Sequence, residues 1–151
     1  MAFHFTLEAV LRLRQSLEDR ELLLLQSLLT RRAALRSEVE QLRQSSFNLE
    51  QEAKQAMLLR PTPAVEIHFA MARLQGLDGR LQLLREQLRQ VESAIVEQRL
   101  RYQQQRRNRE ALEALREAQL RDYRLTQRRR EQAQLDELYL LRRKPQSAVS
   151  F

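Results

Sequence analysis

The apolar residues from Leu25 onward follow a seven-residue repeat. Two sets of positions make up this repeat: Leu28, Leu35, Leu42, Leu49 and Ala56 in one set, and Leu25, Arg32, Val39, Ser46 and Ala53 in the other. Arg32 and Ser46 interrupt the second set, but the spacing does not change. A heptad pattern sustained over this length is typical of a coiled-coil helix.

The chain before Leu25 also predicts an amphipathic helix. Its apolar stripe consists of Leu7, Val10, Leu17 and Leu24. Thr6 stands where a side-chain oxygen could cap the first turn, and Glu8 lies where the helix dipole favours a carboxylate. We therefore predict that helix one covers about residues 6–59.

The sequence LRPTPAVE interrupts the pattern. Pro61 disfavours a helical conformation at Arg60, and Thr62 followed by Pro63 is typical of a cap and a first-turn proline. A turn at 60–63 follows. Because so short a link joins two apolar-striped helices, they should be antiparallel neighbours in a hairpin.

The second helix, predicted at about residues 64–143, has its own seam. Its apolar part consists of Ile67, Leu74, Leu77, Leu81, Leu84, Leu88, Val91 and Ile95. The same positions then read Gln98, Tyr102, Gln105, Arg109, Leu112, Arg116, Gln119 and Tyr123, so the seam becomes polar. A turn at Gly76–Gly79 is the less favoured alternative, because the seam passes through it without a change of phase.

These elements predict an all-α fold: one domain, 1–151, forming an antiparallel two-helix coiled-coil hairpin with a longer C-terminal helix. At 1.5 Å per residue, helix one would be about 80 Å long and helix two about 118 Å. In register, Thr6 would lie near residue 117, and 118–143 would overhang before a tail at 144–151. The apolar residues of the overhang form no continuous stripe and resemble anchors for another protein.

Composition agrees with long helices, since the chain has only two glycines and three prolines. Its net charge of +7 lies entirely in residues 99–144, which hold fourteen Lys or Arg against seven Asp or Glu. Cysteine is absent, which excludes disulfides and thiolate zinc sites. No run of about 18 apolar residues occurs, and the start lacks a signal-type stretch, so we expect a cytoplasmic protein.

Enzyme chemistry finds no support in the sequence. His4 and His68 are the only histidines and belong to different helices, so they cannot supply a metal triad or a nucleophile and base pair. The two glycines lack the spacing of a phosphate-binding loop. Asp136 and Glu137 are adjacent and point to different helix faces. We expect neither catalysis nor a cofactor or metal.

The basic C-terminal third leaves two other interpretations open. A basic helix could bind nucleic acid, but acidic residues are interspersed along it and no aromatic stacking platform accompanies the arginines. A solvated helix face is the better interpretation for arginines that are balanced locally, such as Arg36 and Arg85. For Arg128, Arg129 and Arg130 a solvated face and a partner contact are equally supported.

The segments FHFTLEAVLRLRQSLED and RRREQAQLDELYLLRR, with the heptads and the break near residue 61, resemble FliJ, the coiled-coil component of the flagellar type III export apparatus. The resemblance covers nearly the whole chain, and the terminal motif carries most of it. Stalk proteins of virulence-type secretion systems and a generic coiled-coil scaffold or chaperone are alternatives.

The resemblance implies a stalk similar to that of rotary ATPases, whose end bearing both termini enters the hexameric ring of the export ATPase FliI. It also implies contacts with the export gate protein FlhA and with export chaperones, peripheral to the cytoplasmic membrane. The residues matching the ring-contact motif are Arg128, Arg129, Glu131, Gln132, Leu135, Asp136 and Glu137. Those matching the gate contact are Ile67, Ala70, Met71 and Leu74. Ala70 is smaller than the residue expected there.

Overall fold

A computed structural model of the chain describes residues 2–149, and the side chains of residues 2–143. It contains two helices, α1 (Glu8–Leu59) and α2 (Ala64–Val149), and the described residues include no strand. The chain divides into two compact units, unit 1 with Met1–Glu18 and Gln105–Phe151, and unit 2 with Asp19–Gln104. In each unit a segment of α1 packs against α2. The predicted all-α class is confirmed, and the antiparallel hairpin is consistent with this structure.

The turn lies in unit 2 between the end of α1 and the start of α2. The Arg60 N–H still donates to the Ala56 carbonyl at 3.3 Å, which closes the last turn of α1. Across the turn, the Arg60 guanidinium lies 3.9 Å from the Glu66 carboxylate. Both side chains are mostly exposed, so this ion pair adds little stability. The two prolines at 61 and 63, which cannot donate backbone hydrogen bonds, account for the break.

Both predicted N-caps are one residue away from the observed ones. In α1 the first helical hydrogen bond runs from the Leu11 N–H to the Leu7 carbonyl at 2.9 Å. In α2 it runs from the Ile67 N–H to the Pro63 carbonyl at 3.3 Å. The Thr62 hydroxyl donates to the Arg60 carbonyl at 3.4 Å instead of accepting from α2. Leu7 and Pro63 therefore hold the cap positions, and the prediction that Thr6 and Thr62 hold them is wrong by one residue.

The seam of unit 2 is the predicted one. Its most buried apolar side chains are Leu25, Leu35, Leu81, Leu84 and Ile95, with Leu35 and Ile95 only 1% and 2% exposed. The other members of both heptad sets are half-buried, including Arg32 and Ser46. Gly76 and Gly79 lie within α2, which excludes the alternative turn at these residues. The heptad prediction is confirmed here.

The stripe predicted upstream of Leu25 is wrong in two of its four positions. Val10 and Leu24 are 39% and 46% exposed, whereas Leu11 and Glu18 are buried. Counting back in sevens from Leu25 gives Glu18 and then Leu11, so the heptad in fact continues unchanged towards the start of α1. An acidic residue occupies a seam position here, and the neighbouring leucines lie beside the seam. The apolar residues alone therefore indicated the wrong face of the helix.

In unit 1, the pairing of the helices agrees with the predicted register. Arg116 donates to the Glu8 carboxylate at 3.1 Å, close to the expected pairing of Thr6 with residue 117. The segment before α1 extends this contact further along α2, because Phe5 is 3% exposed and the ring of Phe3 lies 5.6 Å from that of Tyr123. The predicted overhang from 118 therefore begins too early, since packing continues to Tyr123.

Helix α2 continues to Val149, beyond the predicted end at residue 143. Proline weakens a helix at one position but does not always end it, so the proline at 145 is compatible with this continuation. The predicted tail at 144–151 is thus helical as far as Val149, and its last two residues lie outside the described part of the chain.

Candidate interaction surfaces

The first candidate surface is the C-terminal segment, which we define as residues 128–143. All of its side chains are exposed. They include large apolar groups: Leu135, Leu138, Tyr139, Leu140 and Leu141 are between 57% and 64% exposed. More than half of the area of each of these apolar side chains is accessible. Exposed apolar patches of this kind often mark protein interaction sites.

The residues predicted to contact the ATPase ring all lie in this segment, but they do not share one face. Arg128, Gln132 and Leu135 follow the spacing 0, 4 and 7 and lie along one side of α2. Gln132 donates to the Asp136 carboxylate at 3.2 Å, one turn further on. Arg129 and Asp136, seven residues apart, border this side on one edge, and Glu131 borders it on the other, four residues before Leu135. Six of the seven motif residues therefore lie on one half of the circumference, and Glu137 lies apart from them.

Where this segment begins, three arginines lie around an exposed leucine. Arg121, Arg124 and Arg128 line a shallow depression with Leu125, which is 48% exposed. Such a depression suits a partner segment that carries an apolar side chain with carboxylates beside it. The apolar side chain would contact the centre, and the guanidinium groups at the edge would pair with the carboxylates in a bidentate way. The depression therefore extends the basic character of the segment towards the middle of α2.

The residues predicted to contact the export gate are placed differently by the structure. Ile67, Ala70 and Leu74 are half-buried seam residues, and the first two border a small pocket shared with Ala53 of α1. Only Met71, at 55% exposed, is freely accessible. Their apolar spacing therefore serves the packing of α2 against α1 within unit 2.

A second exposed surface adjoins these residues at the turn. We define the turn surface as Leu58, Leu59, Val65 and Phe69, which are 86%, 85%, 78% and 67% exposed. Leu58 and Leu59 end α1, and Val65 and Phe69 lie one turn apart on α2. Sequence analysis missed this surface. The signal was available, because these apolar residues lie off the seam and no heptad partner accounts for them.

Unit 1 contains a charged layer in its seam: the sequence predicted Arg109 as a seam position of α2 but missed its partner Glu18 on α1. The Arg109 guanidinium donates to both carboxylate oxygens of Glu18 and, at 2.7 Å, to Glu113. Glu18 is only 8% exposed. The hydrogen bonds to Glu18 and then to Glu113 raise the pKa of Arg109 above its ordinary value, although burial acts in the opposite direction. Arg109 therefore keeps its positive charge in the seam.

A related polar contact lies in unit 2. Gln98, 5% exposed, donates through its amide nitrogen to the Glu21 carboxylate and, at 3.0 Å, to the Glu21 backbone carbonyl. Like Glu18, Glu21 falls on the heptad when it is counted backwards from Leu28. The pairing of acidic residues on α1 with Gln or Arg on α2 explains why the seam of α2 is polar after Ile95. It fixes which residues face each other, and polar seam residues often have this role.

The described residues include no group of three or more histidine, cysteine, aspartate or glutamate side chains placed to hold a metal ion. In the described part of α1 and α2, no stretch is long and apolar enough to cross a bilayer. Both histidines are exposed. The prominent features of the described chain are thus exposed helix faces and charged seam layers.

Together these features define a two-helix coiled-coil protein with exposed apolar and charged helix surfaces. The family whose model matches the chain is described as Flagellar FliJ protein, and the match covers residues 3–145. No curated protein matches the chain. No solved structure matches it either. Because the family match covers nearly the whole sequence, the chain belongs to the FliJ family. This membership implies a structural component of the flagellar type III export apparatus.

Proposed function

We propose that this protein is the stalk and coupling component of flagellar type III export, and that its C-terminal segment enters the pore of a hexameric, FliI-like export ATPase. In this proposal α2 is the longer helix and outruns the part of the chain that packs on it. The observation that carries the proposal is the exposure of every side chain in residues 128–143. A stalk inside a ring meets subunits on all sides, so accessible side chains should surround the helix, as those of this segment do.

The mixture of charges supports a protein partner. The C-terminal segment contains three consecutive arginines, Arg128 to Arg130, but also Glu131, Asp136 and Glu137. Against a phosphate backbone these acids would be repelled, whereas a protein ring offers both signs of charge. Leu135 supplies an apolar anchor at 60% exposure. The segment is therefore better suited to a protein pore than to the groove of DNA.

Co-sedimentation with the purified export ATPase tests this proposal, with the rate of ATP hydrolysis as a second readout. The wild-type chain should promote ring assembly and raise the hydrolysis rate. Reversing Arg128, Arg129 and Arg130 to glutamate should weaken binding by tenfold or more, on the order of 1.4 kcal/mol, because charge reversal replaces attraction by repulsion. A matched control reverses Arg99 and Arg101, which are exposed in unit 2.

If the reversed and control variants bound the ATPase equally well, the C-terminal segment would not be the contact. If the wild-type chain did not bind the ATPase at all, the stalk function would be wrong. A mobility shift of DNA that declined steeply with salt would then favour nucleic-acid binding, the alternative left open by the basic charge.

We further propose that the turn surface contacts an FlhA-like export gate. The predicted residue Met71 is exposed and remains part of this proposal, while Ile67, Ala70 and Leu74 support the surface from the seam. Contact with the gate would hold the protein peripherally at the membrane. Binding of export chaperones also remains a proposal, which follows from family membership alone.

A binding assay with the purified cytoplasmic domain of the gate tests the second contact. Changing Val65 and Phe69 to glutamine should reduce gate affinity by about tenfold, since both apolar groups would lose their partner. The same change at Leu23 and Leu83, which are 66% and 60% exposed elsewhere in unit 2, is the control. Equal loss in both variants would show that the turn surface has no special role.

A further inference from the structure

The side of α2 that faces away from the seam in unit 1 carries two rows of residues. Arg107 lies two residues from each of the seam residues Gln105 and Arg109, and two residues turn a helix by about 200°, so Arg107 lies opposite the seam. Every seventh residue from it forms the basic row: Arg107, Ala114, Arg121 and Arg128. The residues four positions after the first three members form the apolar row: Ala111, Ala118 and Leu125. Steps of four and three residues thus alternate between the rows, as in a coiled-coil seam.

We define the outer face as these two rows together. Leu125 is 48% exposed, Ala118 is half-buried, and the other five residues are exposed. Among the described residues, the three arginines of the outer face form no ion pair, whereas the neighbouring Arg106 pairs with Glu110 at 2.9 Å. Leu125 is also the apolar centre of the arginine-lined depression described above. The outer face therefore presents accessible guanidinium groups directly beside an apolar row.

Carboxylates border the outer face on both sides, although it contains none itself. Glu110 and Glu117 each lie three residues after a member of the basic row, which places them about 60° to one side of it. Asp122 lies four residues after Ala118, about 40° beyond the apolar row. A bilayer or a nucleic-acid duplex would extend over these carboxylates and be repelled by them, whereas one helix, about 10 Å across, fits between them.

We propose that the outer face of unit 1 binds an α-helix of another protein, with a row of carboxylates against the basic row and a row of leucine-type side chains against the apolar row. Charge complementarity selects the carboxylates, because arginine pairs with them in a bidentate way. The alternating spacing selects a helix, since a second helix presents side chains in step with both rows over their length of about 32 Å. A second copy of this chain would bring arginines against arginines through this face and be repelled.

The proposal does not rest on the stalk function. Arg128 is the one residue that the outer face shares with the C-terminal segment, and the other six lie before that segment. Variants at Arg107, Arg121 and Leu125 therefore test the outer face without altering the residues assigned to the ATPase contact.

The test uses the full chain and a fluorescent helical peptide of about four heptads, with leucine at position a, glutamate at d, glutamine at e and g, and alanine elsewhere. In the control peptide, lysine replaces each glutamate. Fluorescence anisotropy should show that the glutamate peptide binds and that its binding weakens as salt increases. The lysine peptide should bind more weakly by about tenfold or more, because its charges repel the basic row.

Charge reversal locates the contact on the basic row. Changing Arg107 and Arg121 to glutamate should weaken binding of the glutamate peptide by about tenfold or more, and this variant should bind the lysine peptide more tightly than the wild type does. A gain for the lysine peptide cannot come from misfolding. The matched control reverses Arg73 and Arg80, two exposed arginines of α2 in unit 2 that are also a multiple of seven residues apart, and should bind both peptides as the wild type does.

A second pair of variants tests the apolar row. Leu125→Gln should lower the affinity for the glutamate peptide by about fivefold, because the leucine side chain of the partner would lose its apolar contact. Leu23→Gln changes a leucine of unit 2 that is 66% exposed and should leave the affinity unchanged. Circular dichroism confirms that each variant remains helical, which is expected because the altered side chains are exposed.

Several results would overturn the proposal. These are equal binding of both peptides, no binding of the glutamate peptide, and equal affinities in the Arg107 and Arg121 variant and its control. Binding to anionic lipid vesicles or duplex DNA that the Arg107 and Arg121 changes abolish, without binding of the glutamate peptide, would make a membrane or nucleic acid the occupant. A dimer in sedimentation equilibrium that the same changes dissociate would show a second copy to be the occupant. Loss of peptide binding on reversal of Arg129 and Arg130 would move the site to the C-terminal segment.

Discussion

Replacing Arg109 by alanine probes the charged seam layer of unit 1 directly. The change removes a guanidinium that holds Glu18 through two hydrogen bonds and Glu113 through one. The Glu18 side chain is 10% exposed and would remain in the seam without its partner. A carboxylate in that position has lost its hydration, and without Arg109 no cation compensates for the loss. The free energy of unfolding should therefore decrease.

The burial of the two partners sets the size of the effect. Removing one partner of a fully buried pair costs about 3–5 kcal/mol. The Arg109 side chain is 21% exposed, so water reaches part of the layer and reduces the cost. We expect a loss of about 2–3 kcal/mol, which for a chain of this size lowers Tm by roughly 5–10 °C.

Chemical and thermal unfolding followed by circular dichroism measure this loss. The matched control is Arg36→Ala, which breaks another pair between the same two helices. Arg36 donates to Glu92 at 3.2 Å, but the two side chains are 56% and 42% exposed. An exposed pair contributes at most about 1 kcal/mol, so this variant should be nearly as stable as the wild type.

The pH dependence follows from the raised pKa of Arg109. A group whose pKa is higher in the folded state stabilises the fold at every pH below its ordinary value, and its contribution disappears only as pH rises through the raised value. Titration of Arg109 itself should therefore not change stability between about pH 5 and 9.

Equal unfolding free energies for Arg109→Ala and Arg36→Ala would refute the reasoning, because burial would then not distinguish the pairs. Changing Glu18 and Arg109 together to leucine gives an independent check. That double variant should be as stable as the wild type or more stable, since apolar replacement of a buried pair removes both desolvation costs.

Three further changes have defined outcomes. Gln105→Leu should raise the unfolding free energy by about 1–2 kcal/mol in urea titrations, because its Oε1 is buried without a hydrogen-bond partner; a loss would show that the oxygen is satisfied in solution. Gly79→Ala should stabilise α2 by up to about 1 kcal/mol in the same assay, since a Cβ there meets nothing within 4 Å; destabilisation would contradict helical geometry at this position. Phe5→Ala should cost about 3 kcal/mol by thermal unfolding, as its ring is 3% exposed, and the exposed neighbour His4→Ala should cost little; similar losses would indicate that Phe5 does not pack on α2.

The sequence predicted the seam well where apolar residues occupy it. From Leu25 to Ala56 and from Ile67 to Ile95, burial follows the heptad positions. The prediction was wrong where the seam contains charge. The heptad spacing places Glu18 in the seam, but a carboxylate is unfavourable in a buried position. The apolar residues Leu17 and Leu24 were therefore predicted as seam residues. Only the partner side chains on α2 make a buried glutamate acceptable, and one helix considered alone does not reveal them.

The candidate surfaces were predictable to different degrees. The C-terminal segment could be identified because its charges and leucines fit no continuous stripe. The gate residues Ile67, Ala70 and Leu74 were chosen by an apolar spacing that is equally the spacing of a seam, and in the structure they are half-buried. An apolar stripe that packs within the protein is distinguished from one that binds a partner by its exposure to solvent. That exposure depends on the position of α1 relative to α2 within unit 2, which the spacing of apolar residues in α2 does not contain.

The distance along the chain between paired residues increases steadily away from the turn. Arg36 and Glu92 are 56 residues apart, whereas Glu8 and Arg116 are 108 apart. Each doubling of the loop length adds only about 0.6 kcal/mol to the entropic cost of closing the loop. Once contacts near the turn have formed, a distant contact has to close only a short remaining loop, so its entropic cost is small. We therefore expect the chain to fold by zipping from the Pro61–Pro63 turn, with the docking of Phe5 as the last step. Pulsed hydrogen exchange during refolding should show protection in unit 2 before unit 1, and the reverse order would contradict this folding route.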